Sequence, residues 1–217
     1  FVQDGIRESF THRLVERTKA IKLGDPLDQE TQMGPMITKT QADIVMSYIE
    51  KGKEEGATLV TGGSSPKLQG FENGNFIEPT IFADVTDDMT IAREEIFGPV
   101  LSIMKVGCID GALRMIKNHP MGNGACIFTQ NAYYIEKFIN NADVGMVGVN
   151  VGVCAPHPYM PFGGIKDSVV GNNKVQGKEG IDFFTQNKVA TIRVVEPTGS
   201  GAKQGETKVS GQESDNS

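Results

Sequence analysis

At 217 residues and 23.4 kDa, with 38% hydrophobic and 22% charged residues, the chain has an ordinary globular composition, which excludes a wholly disordered or collagen-like polymer. Lys plus Arg number 21 against 27 Asp plus Glu, and the resulting net charge of -6 has the wrong sign for a nucleic-acid or anionic-membrane partner. No apolar run approaches the ~20 residues that span a bilayer. The three cysteines, Cys108, Cys126 and Cys154, form no CxxC pair, so neither a disulfide framework nor a metal site is indicated, and reduced thiols in a cytosol-like compartment fit better.

The chain opens on Phe1-Val2 rather than Met and lacks a signal-peptide layout, which predicts a piece of a longer protein. Asp4 is placed to cap an amphipathic helix carrying Ile6, Phe10, Leu14 and Ile21 and ending at Gly24. A Pro- and Gly-punctuated loop follows. Thr38 and Gln41 then spell a capping box, with Ile44, Val45, Tyr48 and Ile49 as the buried stripe and Gly56 as the left-handed stop. Ala57 to Thr61 reads as a short strand, and Phe76 to Ala83 as an edge or bulged strand around Pro79.

The middle of the chain alternates: strand Val100 to Val106, helix Asp110 to Lys117, strand Ala125 to Thr129, helix Ala132 to Asn141, strand Gly145 to Val149. Helices between strands require parallel crossovers, and apolar strands without alternation are covered on both faces. The expected class is therefore α/β, an open, mostly parallel sheet with helices on both faces. Ligands of such sheets bind beyond the strands' carboxyl ends, here near Thr129 to Asn131 and near Asn150. From Val151 to Gly164 the pattern breaks into Gly and Pro. Thr185, Val189, Thr191 and Ile192 suggest an edge strand without a partner in the chain, and the polar tail beyond it is expected to be disordered.

The stretch richest in chemistry is Glu94-Glu95-Ile96-Phe97-Gly98-Pro99-Val100. An acid and a ring two residues apart can share one side of an extended segment, the acid accepting from sugar hydroxyls and the ring covering a flat heterocycle. The plainer alternative is a charged helix end followed by a core Phe and a Gly-Pro turn. Gly62-Gly63 and Gly163-Gly164 lack phosphate-loop spacing and read as turns.

With EEIFGPV at residues 94 to 100, the chain resembles the carboxyl-terminal part of the NAD(P)-dependent aldehyde dehydrogenase superfamily. Further landmarks agree in order: FVQDGI at the start, LGDPLD at 23 to 28, MGPMI at 33 to 37, EPTIF at 78 to 82, PFGG at 161 to 164 and FTQNKVATIR at 184 to 193. GFENGNF at 70 to 76, HPMGNGACIFTQN at 119 to 131 and DVGMVGVNVGV at 143 to 153 resemble the CoA-acylating methylmalonate-semialdehyde dehydrogenase branch.

The resemblance implies a cysteine thiolate that attacks a small aldehyde, a hydride passed to NAD or NADP, and a thioester released to water or CoA. It implies that Glu95 holds the nicotinamide-side ribose, Phe97 lies beside the nicotinamide, and Phe162 and Cys154 line the substrate tunnel. It implies a partial catalytic domain over residues 1 to 178, a segment with an oligomerisation strand over 179 to 196, and homo-oligomers of the full-length protein, while composition makes 197 to 217 the disordered tail. The compartment implied is the cytoplasm, or the mitochondrial matrix in a eukaryote.

The family's nucleophilic cysteine and dinucleotide-binding domain match nothing here and would lie upstream of Phe1, so this chain alone is expected to be inactive. None of the remaining thiols substitutes: Cys126 reads as a buried mid-strand residue, Cys108 lacks an activating neighbour, and Cys154, though near His157, fits a lining role better. His157 reads as a turn residue. The competing expectation is a non-catalytic protein that uses the same fold to bind nucleotide or to pair with a full-length subunit.

Overall fold

The computed structural model describes residues 1–172 and 174–194. Strand β1 (Val2–Gln3) leads through a 3-10 turn (Asp4–Ile6) into helix α1 (Arg7–Lys19). Asp4 is not the expected cap. It lies inside the turn rather than before it, so its carboxylate pairs with Arg7 at 3.7 Å instead of accepting from a backbone N–H. The helix also stops short of Gly24, whose N–H serves the following loop by donating to the Met33 carbonyl at 3.3 Å.

Helix α2 (Lys39–Glu54) starts at the expected cap, where Thr38 Oγ1 accepts from the Gln41 N–H at 3.1 Å. The reciprocal half of the capping box is missing. The Gln41 amide donates to the carbonyls of Ile96 and Phe97, at 3.4 and 3.3 Å. Thr38 is exposed, so its N–H does not depend on a protein partner, whereas the part-buried Ile96 carbonyl needs a donor from the protein. Val45 and Ile49 are fully buried as expected, and Ile44 points out instead. Gly56, at φ +94°, ends the helical run in the left-handed conformation.

Strands β2 (Thr58–Thr61), β3 (Thr80–Ala83) and β4 (Val100–Ser102) form one layer with β3 in the middle, antiparallel to β2 and parallel to β4. The edge position expected for the Pro79 segment is therefore overturned. Pro79 precedes the strand and withholds no ladder hydrogen bond, all four β3 residues are buried, and the register irregularity falls on β2 between Leu59 and Thr61. Val45 and Ile49 of α2 pack with Phe82 of β3, Ile77 and Ile96 in the main core.

Helix α3 (Thr90–Arg93) is tied to the end of α2 by Glu55, which accepts from the Thr90 N–H at 2.7 Å and from its hydroxyl. The Thr90 hydroxyl first, and then its backbone N–H, hold the Glu55 carboxyl below its ordinary value. A depressed acid contributes stability that is present above its unfolded value and lost as pH falls through its folded one. Glu55→Gln is thus expected to lower the urea midpoint near neutrality, with the deficit shrinking as pH falls from about 5 through the acid range. A deficit that stays constant across that range would contradict this linkage.

The expected strand Val100 to Val106 divides. Ile103 is buried and donates to the Phe82 carbonyl at 2.8 Å, and beyond it β5 (Lys105–Val106) leaves the β3 ladder to pair in parallel with β1. Helix α4 (Ile109–Asn118), β6 (Met121–Gly122), β7 (Gly124–Ile127), α5 (Ala132–Asn141) and β8 (Met146–Val149) then follow, β7 and β8 pairing in parallel. The α/β alternation holds, but its ladders are not joined into one sheet. An apolar groove of about 1220 Å³, lined by residues that include Val2, Phe10, Leu101, Met115 and Phe138, separates β4 and β5 from β7.

Strand β9 (Ile165–Lys166) pairs antiparallel with β6, and α6 (Gly177–Phe184) follows. The edge strand expected around residues 185 to 192 forms no ladder, and Val189, Ile192 and Val194 are exposed. Val195 and the tail expected to be disordered lie outside the described residues. Among the described residues no helix is long and apolar enough to cross a membrane.

Candidate functional site

The loop joining α3 to β4 carries Glu95 and Phe97. Core packing shapes it. Ile96 is 9% exposed and belongs to the main core, while Glu95 is exposed and Phe97 is 75% exposed. Gly98 lies against α2, where an added Cβ would stand 2.8 Å from Val45 Cγ1, so only glycine allows this approach. The Pro99 carbonyl then accepts from Thr80 N–H at 2.8 Å, starting the β3–β4 ladder. With the Gln41 amide on the carbonyls of Ile96 and Phe97, the loop is held at its middle and at its end.

The acid and the ring do not reach the surface by strand alternation. Phe97 adopts φ +55°, the left-handed region that an aromatic L-residue seldom occupies, so the segment is a turned loop rather than an extended strand. Such an outlier is held in place by its surroundings. The two acids also differ: Glu94 accepts from the Tyr48 hydroxyl at 2.7 Å, whereas Glu95 has no hydrogen-bond or ion-pair partner among the described residues. Accepting that hydrogen bond, the Glu94 carboxylate pushes the Tyr48 phenol above its ordinary value. Glu95 is left with both oxygens able to accept from a ligand diol.

Cys154 and Phe162 are half-buried on the other layer, in the loop between β8 and β9. Gly145 sets the position of that loop. A Cβ there would overlap the Gly163 carbonyl oxygen and stand 2.7 Å from Gly164 Cα, so the loop backbone passes directly against the start of β8. Lys166, at φ +56°, anchors the loop's far end, donating to the carbonyls of Ile116, Lys117 and His119 at 2.9, 3.1 and 3.2 Å and pairing with Asp143 at 3.1 Å. It thereby caps the carboxyl end of α4 with positive charge.

The region beyond the β7 and β8 ends, expected to face a ligand, is tied together. Asn150, at φ +55°, accepts from Thr129 N–H at 2.9 Å and donates to the Thr129 carbonyl at 3.0 Å. His157 is the turn residue expected, its carbonyl accepting from Met160 N–H at 2.8 Å and its ring stacked on Tyr159. None of Glu95, Phe97, Cys154 and Phe162 lines the large apolar groove. Among the described residues, no cluster of three or more His, Cys, Asp or Glu could hold a metal ion. Gln41, Tyr48 and Lys166 carried no local sequence signal as site-shaping residues, because each acts on a segment distant in the chain.

The sequence profile described as the aldehyde dehydrogenase family matches residues 1–190. A betaine aldehyde dehydrogenase of Brucella anthropi is 46% identical over 194 residues, which are 89% of this chain and 39% of that protein. A Sinorhizobium meliloti protein assigned as methylmalonate-semialdehyde dehydrogenase and solved with NAD superposes with a TM-score of 0.88 at 38% identity, over 91% of this chain and 40% of that one. A betaine aldehyde dehydrogenase of Staphylococcus aureus, solved with NAD+, gives 0.80 at 31% identity, over 84% of this chain and 37% of that one. The chain thus spans about two fifths of these relatives' length. An ordered series of landmarks, an α/β framework that superposes on solved members and a profile match over nearly all the described residues carry one conclusion: this chain belongs to the aldehyde dehydrogenase family.

Proposed function

We propose that the chain supplies the carboxyl-terminal part of the catalytic apparatus of an NAD-dependent dehydrogenase that oxidises a small aldehyde. The observation that carries this reading is the clamped loop at 95–97, where a carboxylate without a partner among the described residues and an exposed ring flank a buried Ile96. Glu95 accepts hydrogen bonds from the hydroxyls of the nicotinamide-side ribose, and Phe97 lies beside the nicotinamide. These residues suit that half of the cofactor: the carboxylate is free to accept, and the ring is held by backbone contacts that leave its faces open. NAD, when bound, accepts the hydride of the oxidation.

In this reading Cys154 and Phe162 line the substrate passage, and the nucleophilic cysteine and dinucleotide-binding domain belong to polypeptide outside the 217 residues. The apolar groove between β4, β5 and β7 receives part of that polypeptide. The exposed segment at 185–194, with Val189 at 90% and Ile192 at 81% exposure, adds as a strand to a neighbouring subunit of a homo-oligomer.

For the aldehyde, the superposition on the Sinorhizobium meliloti protein favours a methylmalonate-type semialdehyde with CoA as acyl acceptor, and the identity to the Brucella anthropi enzyme favours betaine aldehyde with water. Assaying the longer protein with each aldehyde, with and without CoA, separates the two.

The decisive experiment is Glu95→Gln in the longer protein. A neutral acceptor loses roughly 1 kcal/mol against a charged one, so the KM for NAD is expected to rise about 5-fold, with the aldehyde KM nearly unchanged. Unchanged NAD kinetics would remove Glu95 from the cofactor site.

A further inference from the structure

The three cysteines take unequal places in the fold. Cys108 is exposed at the cap of α4, whereas Cys126 and Cys154 are half-buried. Cys126 lies on β7 opposite Gly148 of β8, and the loop after Asn150 folds back over the same ladder. Two glycines leave the room in which the thiols sit. A Cβ at Gly148 would stand 2.7 Å from the Cys126 sulfur and 3.2 Å from Cys154 Cβ, and a Cβ at Gly124 would overlap the Cys154 sulfur. Neither glycine has a left-handed backbone, so what each contributes is the missing side chain. Burial first, and then the neighbouring Cys154 thiol, push the Cys126 thiol above its ordinary value.

We propose that Cys126 and Cys154 are a redox pair, closed by a peroxide into a reversible disulfide that fastens the loop after Asn150 to the β7–β8 ladder. This proposal stands independently of the cofactor assignment. The Cys154 thiolate, carried on the loop rather than within the ladder, attacks the peroxide first. An S–O bond forms, the O–O bond breaks, and hydroxide leaves, giving a sulfenic acid. The Cys126 sulfur then attacks the Cys154 sulfur. The S–S bond forms, the S–O bond breaks, and the hydroxyl departs as water with the Cys126 proton. The two sulfurs lose two electrons, and one hydrogen peroxide becomes two waters.

The test oxidises the 217-residue chain with hydrogen peroxide near stoichiometry, alkylates the remaining thiols and maps the peptides by mass. The expected result is a loss of about 2 Da, alkylation at Cys108 alone, and a Cys126–Cys154 cross-linked peptide that dithiothreitol reverses. Cys108→Ser should retain the cross-link, and Cys126→Ser or Cys154→Ser should each abolish it. A chain without this geometry would favour the Cys108–Cys126 bond, which closes the shorter loop. Predominance of that bond, or three alkylated cysteines after oxidation, overturns the proposal.

Discussion

Phe82→Ala is expected to lower the unfolding free energy by about 3–5 kcal/mol, the range for emptying a buried aromatic site. Phe82 is 0% exposed at the centre of β3, opposite Leu59 of β2 and Ser102 of β4, and its ring meets α2 at Gly52. A Cβ at Gly52 would stand 3.2 Å from Phe82 Cζ and 3.0 Å from Ile91 Cδ1, so there is little slack into which the neighbours can relax. Since domains of this size are stable by about 5–15 kcal/mol, the variant should unfold at a far lower urea concentration. The same contact gives an internal control: Gly52→Ala should cost less in the Phe82→Ala background, because the added methyl enters space the ring has vacated. A loss below about 1 kcal/mol, or strict additivity, would mean that α2 and β3 do not meet there.

Replacing Phe97 should separate binding from stability. Its side chain is 75% exposed, so truncation removes little packing, yet its backbone is left-handed. That conformation costs an L-residue roughly 1–2 kcal/mol, whereas glycine adopts it freely but loses roughly 0.5–1 kcal/mol more chain entropy on folding. Phe97→Gly is therefore expected to be at least as stable as Phe97→Ala, the reverse of the usual order at an exposed site. Both lack the ring, and in the longer protein both should weaken NAD binding by about 2- to 10-fold, the worth of one aromatic contact. Urea titration of both variants and NAD titration followed by fluorescence check the two halves. An alanine variant more stable than the glycine one would contradict the left-handed backbone, and undiminished NAD binding would remove the ring from the cofactor site.

These outcomes bear on how the loop at 95–97 presents its exposed side chains. Ile96 is drawn inward by the same core that holds Val45 and Phe82, and Gln41 takes the two adjacent carbonyls. The residues on either side of Ile96 are presented by packing beneath them rather than by contacts of their own. A variant at Gln41 should accordingly disturb the placement of Glu95 and Phe97 without touching either side chain.

Much of this could be read along the chain. The apolar stripe of α2 with Thr38 and Gly56 at its ends, the bounds of α5, and the β7–α5–β8 unit are all local patterns, in which spacing and caps act within a few residues. The ordered motifs, EEIFGPV above all, identified the family. What the tertiary structure alone decided are contacts between residues far apart in sequence. It determined that Val100 to Val106 serves two ladders, that the Pro79 strand lies inside its layer, that Gln41 turns from its own cap to residues 96 and 97, that Lys166 closes α4, and that Cys154 and Cys126 both come to lie against Gly148. Periodicity specifies which face of an element is apolar, but a pairing partner depends on which buried polar groups and volumes must be satisfied once the elements meet.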